Sequence, residues 1–454
     1  MTAPHGGAAV TLLLPEVLML AGAVAALVAG LFVARHRQRV AAWVCMAALA
    51  GAAAASAAAL RRPAALAFDA YAVDPPTGVA RVTVCLATLL AVWLATGRAR
   101  GDSRETELYT LMVLAALGSV LMAGADDLLV LVAAYLLASI PAYALAGFAK
   151  DASGTEAALK YYLMGAFLGV LMLAGATLVY GWSGATAYPV ARAPAVGAVL
   201  LLAGPLFKAG GAPAHFWVPD VTEGTSAPVA AFVTTVPKIG ALVALYRLAT
   251  TVLDEPALLA VLAAGTMTLG NLAAFQQENV RRLLAYSTVS QAGYLLVPVA
   301  MAGRTGLAAP ALLFYLAAYA VTNLGAFAVV VATGAERLRD YAGLGRRSPW
   351  TAFALVVCLL GLVGTPPTAV FAGKLLMFAA AWDGGYAWLA VVAAANTVAS
   401  LFYYLRWIRP VFAQEGPATP AAPARAVSSP VAQVCAAASV LLGPAAALAL
   451  LIAR

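Results

Sequence analysis

Charged residues are scarce in this sequence of 454 residues: Asp, Glu, Lys and Arg together form 10% of it, whereas hydrophobic residues form 64%. The polar intervals are short, so no water-soluble domain fits between the apolar runs. Those runs recur with lengths of about 20 residues, enough to cross a hydrocarbon core of about 30 Å. The sequence therefore predicts an all-α integral membrane protein embedded in a lipid bilayer.

Residues that carry redox or catalytic chemistry are also few. The four cysteines, Cys45, Cys85, Cys358 and Cys435, lie inside apolar runs without the paired spacing of a metal or redox site. No glycine-rich phosphate loop and no set of nucleophile and base is present. We therefore expect no metal, no catalytic residue and no cofactor on this chain. The net charge of +8 comes mostly from basic residues in short loops, which reflects membrane topology and not a nucleic-acid partner.

The apolar runs predict about fourteen transmembrane helices. They lie near residues 11–34, 40–59, 77–97, 106–124, 128–148, 157–181, 195–214, 228–250, 257–276, 283–302, 308–333, 352–380, 386–408 and 430–452. Arginine and lysine are more frequent in the loops after odd-numbered spans than in those after even-numbered spans. The positive-inside bias therefore predicts a multi-pass protein of the inner (plasma) membrane with both termini outside.

Two predicted spans contain proline and glycine at corresponding places. Span seven includes Pro205 and Pro213, and span twelve includes Pro366 and Pro367. Proline removes a backbone donor and clashes with the preceding turn, so we expect helix breaks at these prolines and discontinuous helices 7 and 12. Because five spans separate the two interruptions, spans 4–8 and 9–13 are predicted to be two inverted five-helix repeats.

This repeat hypothesis gives four predicted segments. They are residues 1–105 with helices 1–3, residues 106–250 as the first antiporter-like repeat, residues 257–410 as the second, inverted repeat, and residues 411–454 as a cytoplasmic loop and helix 14.

Three lysines lie inside predicted spans: Lys208 in span seven, Lys238 in span eight and Lys374 in span twelve. A charged lysine at mid-membrane costs about 2.5 to 3.5 kcal/mol on insertion scales, so such residues normally face a polar interior and serve a task. The alternative is that each reaches an interface along its flexible stem, which suits Lys160 near the start of span six. Because burial favours the neutral amine and a nearby carboxylate favours the ammonium, a buried lysine can take up and release protons.

Further polar residues accompany these lysines. His215, at the end of span seven, is either a titrating group or a helix cap. A cluster in spans ten and eleven either holds a water chain for a polar relay or forms hydrogen bonds between packed helices. Its members are Tyr286, Ser287, Ser290, Gln291, Tyr315, Tyr319 and Asn323.

Several sequence blocks carry a resemblance to a known family. They are Phe207-Lys208, His215-Phe216-Trp217-Val218-Pro219-Asp220-Val221, Gly224 to Val229, Asn279 to Ser287, Gly364-Thr365-Pro366-Pro367 to Lys374, and Glu156 to Lys160-Tyr161. Together they closely resemble subunit N of bacterial NADH-quinone oxidoreductase, an antiporter-like membrane subunit of respiratory complex I, over roughly spans three to thirteen.

The resemblance implies a proton-translocating subunit that acts through Lys208, Lys238 and Lys374. It also implies other membrane and peripheral subunits of complex I as partners, which would hold the NADH, flavin, iron-sulfur and quinone sites. The chain would then be part of an NADH:quinone oxidoreductase without performing electron transfer itself. Alternatives are a subunit of a cation/proton antiporter or membrane hydrogenase complex, and a structural membrane subunit with a defective proton channel.

The sequence departs from the family at the partner of Lys208. The family places a glutamate in span five, and Leu136 occupies that position here. A histidine common in span ten is Gln291 in this sequence. Glu156 would replace the missing carboxylate only if the fold brought it near Lys208. Without such a partner, burial favours the neutral form of a lysine.

Overall fold

The computed structural model describes residues 10–99, 104–413 and 428–452. Its α-helices are α1 (Leu14–Phe32), α2 (Arg39–Ala59), α3 (Pro75–Ala99), α4 (Glu105–Gly124), α5 (Leu128–Ala146), α6 (Ala152–Ser183), α7 (Ala195–Ala209), α8 (Trp217–Gly224), α9 (Ala227–Thr251), α10 (Pro256–Ala274), α11 (Val280–Ala300), α12 (Ala308–Thr333), α13 (Leu344–Arg347), α14 (Pro349–Val363), α15 (Ala369–Asp383), α16 (Ala387–Val411) and α17 (Ser428–Ile452). Two short 3-10 helices, Arg35–Arg37 and Leu338–Tyr341, lie in loops.

Twelve helices in the described part of the chain are long and apolar enough to cross a membrane. The prediction of a helical multi-pass membrane protein is therefore confirmed. Shorter apolar helices, α7 and α14, form the first parts of the two spans that the sequence predicts to be interrupted. The count of fourteen crossings and the boundaries of the two repeats remain predictions.

The two interruptions begin at glycines. Helix α7 ends where Gly210 adopts a left-handed φ of 71°, and α14 ends where Gly364 adopts a φ of 87°. Glycine adopts this conformation without a steric penalty and terminates helices for that reason. Pro213, Pro366 and Pro367 lie within these two interruptions.

The predicted break at Pro205 is wrong, because this proline lies inside α7 and the helix continues to Ala209. Proline removes only its own amide donor, and a helix can pass through it when neighbouring contacts compensate.

The chain forms two compact units. The first comprises Met1–Trp217 and Val236–Leu258, and the second comprises Val218–Thr235 and Leu259–Arg454. In the first unit, α1, α2, α3 and α4 pack around one another, and α5, α6 and α7 follow by successive contacts. In the second unit, α12 packs against α11, α14, α15 and α17, and α16 contacts α14 and α15. Helices α11 and α12 are largely buried, although α11 carries several polar side chains.

A short antiparallel hairpin in the first unit was not predicted from the sequence. Strand β1 (Ala65–Ala67) pairs with β2 (Tyr71–Val73), in the register Ala65↔Val73. Just beyond it, a buried ion pair joins α1 to α3: Arg81 Nε donates to Glu16 Oε1 at 2.7 Å and Arg81 Nη2 donates to Glu16 Oε2 at 2.9 Å. The hairpin completes this cluster, because Tyr71 Oη donates to Glu16 Oε1 at 2.6 Å. The described N-terminal helices are thus joined by charge as well as by apolar contact.

Candidate functional site

Lys208 lies in the last turn of α7, within the first unit, and is 1% exposed. Its Nζ donates to Ala138 O and to Tyr161 Oη, both at 3.4 Å. Aromatic rings occupy much of the remaining space around the amine, with the ring centroid of Tyr161 at 5.0 Å and that of Tyr143 at 5.2 Å. The surroundings of Lys208 are therefore polar and aromatic but uncharged among its recorded contacts.

Lys238 lies near the middle of α9, directly after Pro237, and is 2% exposed. The helical turn that contains it is held against α4 by Ser119. The Ser119 hydroxyl donates to Val236 O at 2.9 Å and accepts from Gly240 N at 3.1 Å. A side chain at Gly240 would collide with the Ser119 carbonyl, so glycine permits this close approach of the two helices. The sequence analysis did not single out Ser119.

Lys374 lies in α15, within the second unit, and is 1% exposed. Its Nζ donates to Val363 O at 2.8 Å and to Thr397 Oγ1 at 3.1 Å, and lies 4.0 Å from the centroid of the Tyr294 ring. Val363 is the last residue of α14, and carbonyls at a helix C-terminus lack partners within the helix. This end of the helix carries a partial negative charge and favours a cation. The predicted break in span twelve therefore provides the acceptor for Lys374.

Comparison with known proteins identifies the family. Residues 125–400 match the family described as NADH:quinone oxidoreductase/Mrp antiporter, TM. NADH-quinone oxidoreductase subunit N from Mycobacterium sp. strain JLS is 52% identical over 454 residues, covering 95% of this chain and 96% of that protein. Subunit N 1 from Streptomyces griseus subsp. griseus is 53% identical, covering 95% of each chain. The chain belongs to the subunit N family of NADH-quinone oxidoreductases.

A solved structure agrees with this assignment. A chain of respiratory complex I from Thermus thermophilus with bound aureothin has a TM-score of 0.82 to this member of the subunit N family at 35% sequence identity. The match covers 95% of this chain and 98% of that chain. Fold and sequence similarity thus extend over nearly the whole length of both chains.

The register of α5 explains the surroundings of Lys208 in this subunit N chain. Tyr135, Ser139 and Tyr143 recur every four residues and therefore share one face of the helix. Leu136, one residue after Tyr135, is 49% exposed. The position that the family resemblance assigns to a glutamate therefore lies on a more exposed part of α5.

Glu156 does not replace the missing carboxylate. Its carboxylate pairs with Lys160 at 2.7 Å, four residues along α6, and both side chains are largely exposed. In the part of the chain that the structure describes, no carboxylate lies within 4 Å of Lys208 Nζ, whose hydrogen bonds go to a carbonyl and a hydroxyl. The hypothesis of a relocated acidic partner at Glu156 is therefore wrong.

The residues predicted to form a relay lie in several separate contacts within the second unit. Gln291 Nε2 donates to Leu362 O at 2.8 Å, and Gln291 Oε1 accepts from Tyr315 Oη at 2.7 Å. Ser287 forms a short hydrogen bond with Tyr404. Ser290 Oγ is buried and has no hydrogen-bond partner among the described residues.

The other predicted polar residues lie elsewhere. Tyr319 Oη shares a hydrogen bond of 3.0 Å with Thr288 and donates to Thr234 O at 3.0 Å, while Asn323 donates to Thr235 at 2.8 Å. These contacts join α12 to the start of α9 and are packing hydrogen bonds. Tyr286 is only partly buried, beneath the guanidinium of Arg282.

His215 lies in the turn between α7 and α8, beside Phe216, and is partly buried. Among the described residues, no hydrogen bond joins the imidazole of His215 to Lys208 Nζ. The structure thus locates His215 at the break but does not bring it into the polar cluster of the predicted site.

Helix α16 contributes polar residues that the sequence analysis missed. Thr397 binds Lys374 and donates to Tyr294 Oη at 3.4 Å. Asn396 accepts from Asn271 Nδ2 at 2.9 Å, and Tyr403 donates to Asn271 Oδ1 at 3.0 Å. The pairs Asn396-Thr397 and Tyr403-Tyr404 stand seven residues apart, a spacing that repeats on one helical face. That periodicity was the available signal.

Proposed function

We propose that this chain is the proton-translocating membrane subunit N of an NADH-quinone oxidoreductase, in which Lys208, Lys238 and Lys374 carry protons at their Nζ atoms. The observation that carries the proposal is the burial of all three amines inside a membrane protein of this family. Ionisable groups buried in membrane helices are costly and mark ion pathways or proton relays. The order of transfer from Lys208 through Lys238 to Lys374 follows the family resemblance.

The surroundings of each terminal lysine support proton exchange. Lys208 and Lys374 both bind neutral acceptors, so neither amine is fixed in the charged state by a permanent ion pair. A lysine with neutral partners can release its proton without leaving a buried carboxylate uncompensated. At Lys374 the acceptor carbonyl belongs to the end of α14, so a movement at the break changes the stability of the ammonium.

The subunit does not carry electrons in this proposal. The described residues include no group of three or more potential metal-binding side chains. NADH, flavin, iron-sulfur clusters and quinone are bound by partner subunits of complex I, and this chain responds to their reaction through conformational or electrostatic coupling. The positive-inside bias supports a location in the inner (plasma) membrane with both termini outside.

The test compares single lysine variants of the assembled complex in proteoliposomes. Lys208→Met, Lys238→Met and Lys374→Met are each expected to lower the number of protons translocated per NADH oxidised, because methionine keeps an unbranched side chain of similar length but holds no proton. Lys160→Met is the matched control, since Lys160 is an exposed lysine paired with Glu156. If all three buried-lysine variants translocate as many protons per NADH as the parent, the proposal is contradicted.

A structural role without proton flux is the second candidate, favoured because no carboxylate among the described residues pairs with Lys208. That role predicts loss of complex assembly in helix-packing variants and no effect of the lysine variants on protons per NADH. Native gel electrophoresis of the same membranes measures assembly separately from pumping. A variant that assembles fully and translocates fewer protons would exclude the purely structural role.

A further inference from the structure

We propose that an aromatic cage formed by Tyr135, Tyr143, Tyr161 and Phe207 binds the ammonium of Lys208 in place of the carboxylate that the family provides. This inference rests on the proposed function, because it concerns how the first lysine of the proton path becomes charged. It assigns a positioning role to residues on α5 and α6 that act through Lys208.

The distances fit a cage. Lys208 Nζ lies 5.7 Å from the ring centroid of Tyr135, 5.2 Å from that of Tyr143, 5.0 Å from that of Tyr161 and 5.9 Å from that of Phe207. A cation within about 6 Å of an aromatic centroid is attracted by the negative face of the ring, and the attraction is stronger where water is excluded. Four rings at this distance around one amine give the ammonium a favourable site without any anion.

The rings are held in place by contacts of their own. Tyr135 Oη donates to Gly165 O at 2.7 Å. The ring of Tyr161 stacks on Trp217 with centroids 4.3 Å apart and meets the edge of Tyr143 at 4.9 Å. A side chain at Gly165 would collide with the Tyr143 hydroxyl, so this glycine leaves room for the cage. The geometry is therefore fixed by packing between α5, α6 and α7.

A cage differs from a carboxylate in its charge. A lysine-carboxylate pair is neutral when the amine is protonated, whereas protonated Lys208 in a neutral cage keeps a net charge of +1. The groups that face Lys208 in its recorded contacts are the tyrosines of α5 and α6 and the Ala138 carbonyl. The cage therefore stabilises the ammonium without neutralising it, so the charge of protonated Lys208 still acts on neighbouring groups.

The test varies Tyr143, whose ring faces Lys208 and whose side chain is only partly buried. Tyr143→Leu removes the ring, whereas Tyr143→Phe keeps the ring and removes the hydroxyl. In assembled complex reconstituted into proteoliposomes, proton translocation per NADH is measured across a range of pH. We expect Tyr143→Leu to move the pH profile down by about one unit, a tenfold change in proton concentration, because the uncaged amine needs more protons to become charged. We expect Tyr143→Phe to keep the parental profile.

Three further variants separate loss of the cage from damage to the fold. Tyr180→Leu, on an exposed part of α6, should leave the profile unchanged. Ser139 lies between Tyr135 and Tyr143 on the same face of α5, and its side chain is buried. Adding Ser139→Asp to Tyr143→Leu supplies a carboxylate on this face and should restore pumping at the parental pH. Leu136→Glu, on a more exposed part of the helix, should not.

The outcomes separate this inference from the proposed function. Equal shifts in Tyr143→Leu and Tyr143→Phe would overturn the cage, since the hydroxyl would then matter and the ring would not. An unchanged profile in Tyr143→Leu and in Tyr135→Leu, together with lost pumping in Lys208→Met, would overturn the cage and leave the proposed function standing. Normal proton translocation in Lys208→Met would contradict both the role of Lys208 in the proton path and the role of the cage around it.

Discussion

The buried ion pair between Glu16 and Arg81 should be sensitive to the loss of one partner. Arg81 is 1% exposed, and its guanidinium binds both oxygens of Glu16 in a bidentate geometry. The substitution Glu16→Gln removes the countercharge and leaves the Arg81 guanidinium buried without an anion, which lowers the free energy of unfolding by about 3–5 kcal/mol. The substitution should loosen the packing of α1 against α3 and the β1-β2 hairpin, because Tyr71 of the hairpin also binds Glu16.

A cysteine of the same helix reports this destabilisation. Cys85 lies one turn after Arg81 on α3, is fully buried, and has its Sγ 3.7 Å from Met19 Sδ of α1. With the other three cysteines replaced by alanine, the rate of modification of Cys85 by a thiol reagent measures the local opening of these helices. A loss of 3–5 kcal/mol should raise this rate by roughly two to four orders of magnitude, at 1.4 kcal/mol for each factor of ten.

Two control variants decide the cause of the effect. Glu107→Gln, at an exposed position on α4, should change the labelling rate little. The double variant Glu16→Leu with Arg81→Leu should recover most of the parental protection, because a buried ion pair can be replaced by apolar residues at little cost. The explanation fails if Glu16→Gln labels Cys85 no faster than the parent, or if the double variant is as unprotected as the single one.

Three further predictions follow from helix contacts. Gly240→Ala should lower the free energy of unfolding by about 1–3 kcal/mol, because the added methyl group meets the Ser119 carbonyl. Gly265→Ala is the control: its methyl group meets nothing within 4 Å, so it should be neutral or stabilising by up to about 1 kcal/mol. Thermal unfolding of the purified chain measures both variants. Thr397→Val should lower proton translocation per NADH, because it removes a hydrogen bond to Lys374 that stabilises the ammonium by about 1.5–3 kcal/mol. An effect no larger than that of Thr177→Val, an exposed threonine that bonds within α6, would contradict this role. Arg282→Gln should lower the free energy of unfolding by at most about 1 kcal/mol, because the ion pairs of Arg282 with Asp220 and Glu223 are partly exposed. Salt screens exposed ion pairs, so the loss should shrink in unfolding assays at high salt. A loss that stays the same at high salt would contradict this explanation.

The sequence was sufficient to predict features that depend on short stretches of chain. The length and apolarity of each run predict membrane helices because a span needs only a continuous stretch of apolar side chains. The glycines and prolines near residues 210 and 365 predict the two breaks, since helix termination is a local property of the backbone. The burial of Lys208, Lys238 and Lys374 was also predictable, because each lies well inside an apolar segment.

Tertiary structure decided which groups meet those lysines. The family resemblance predicted that position 136, which is Leu136 here, faces Lys208. The register of α5 instead directs Tyr135 and Tyr143 to Lys208. The sequence alone does not show which neighbour each face of α5 meets, because the helix is otherwise apolar nearly all round. The binding of Thr397 to Lys374, and of Glu16 to Arg81, joins residues 23 and 65 positions apart. Such partners are chosen by the packing of helices against one another, because a buried charge is stabilised only by the atoms that this packing brings within a few ångströms.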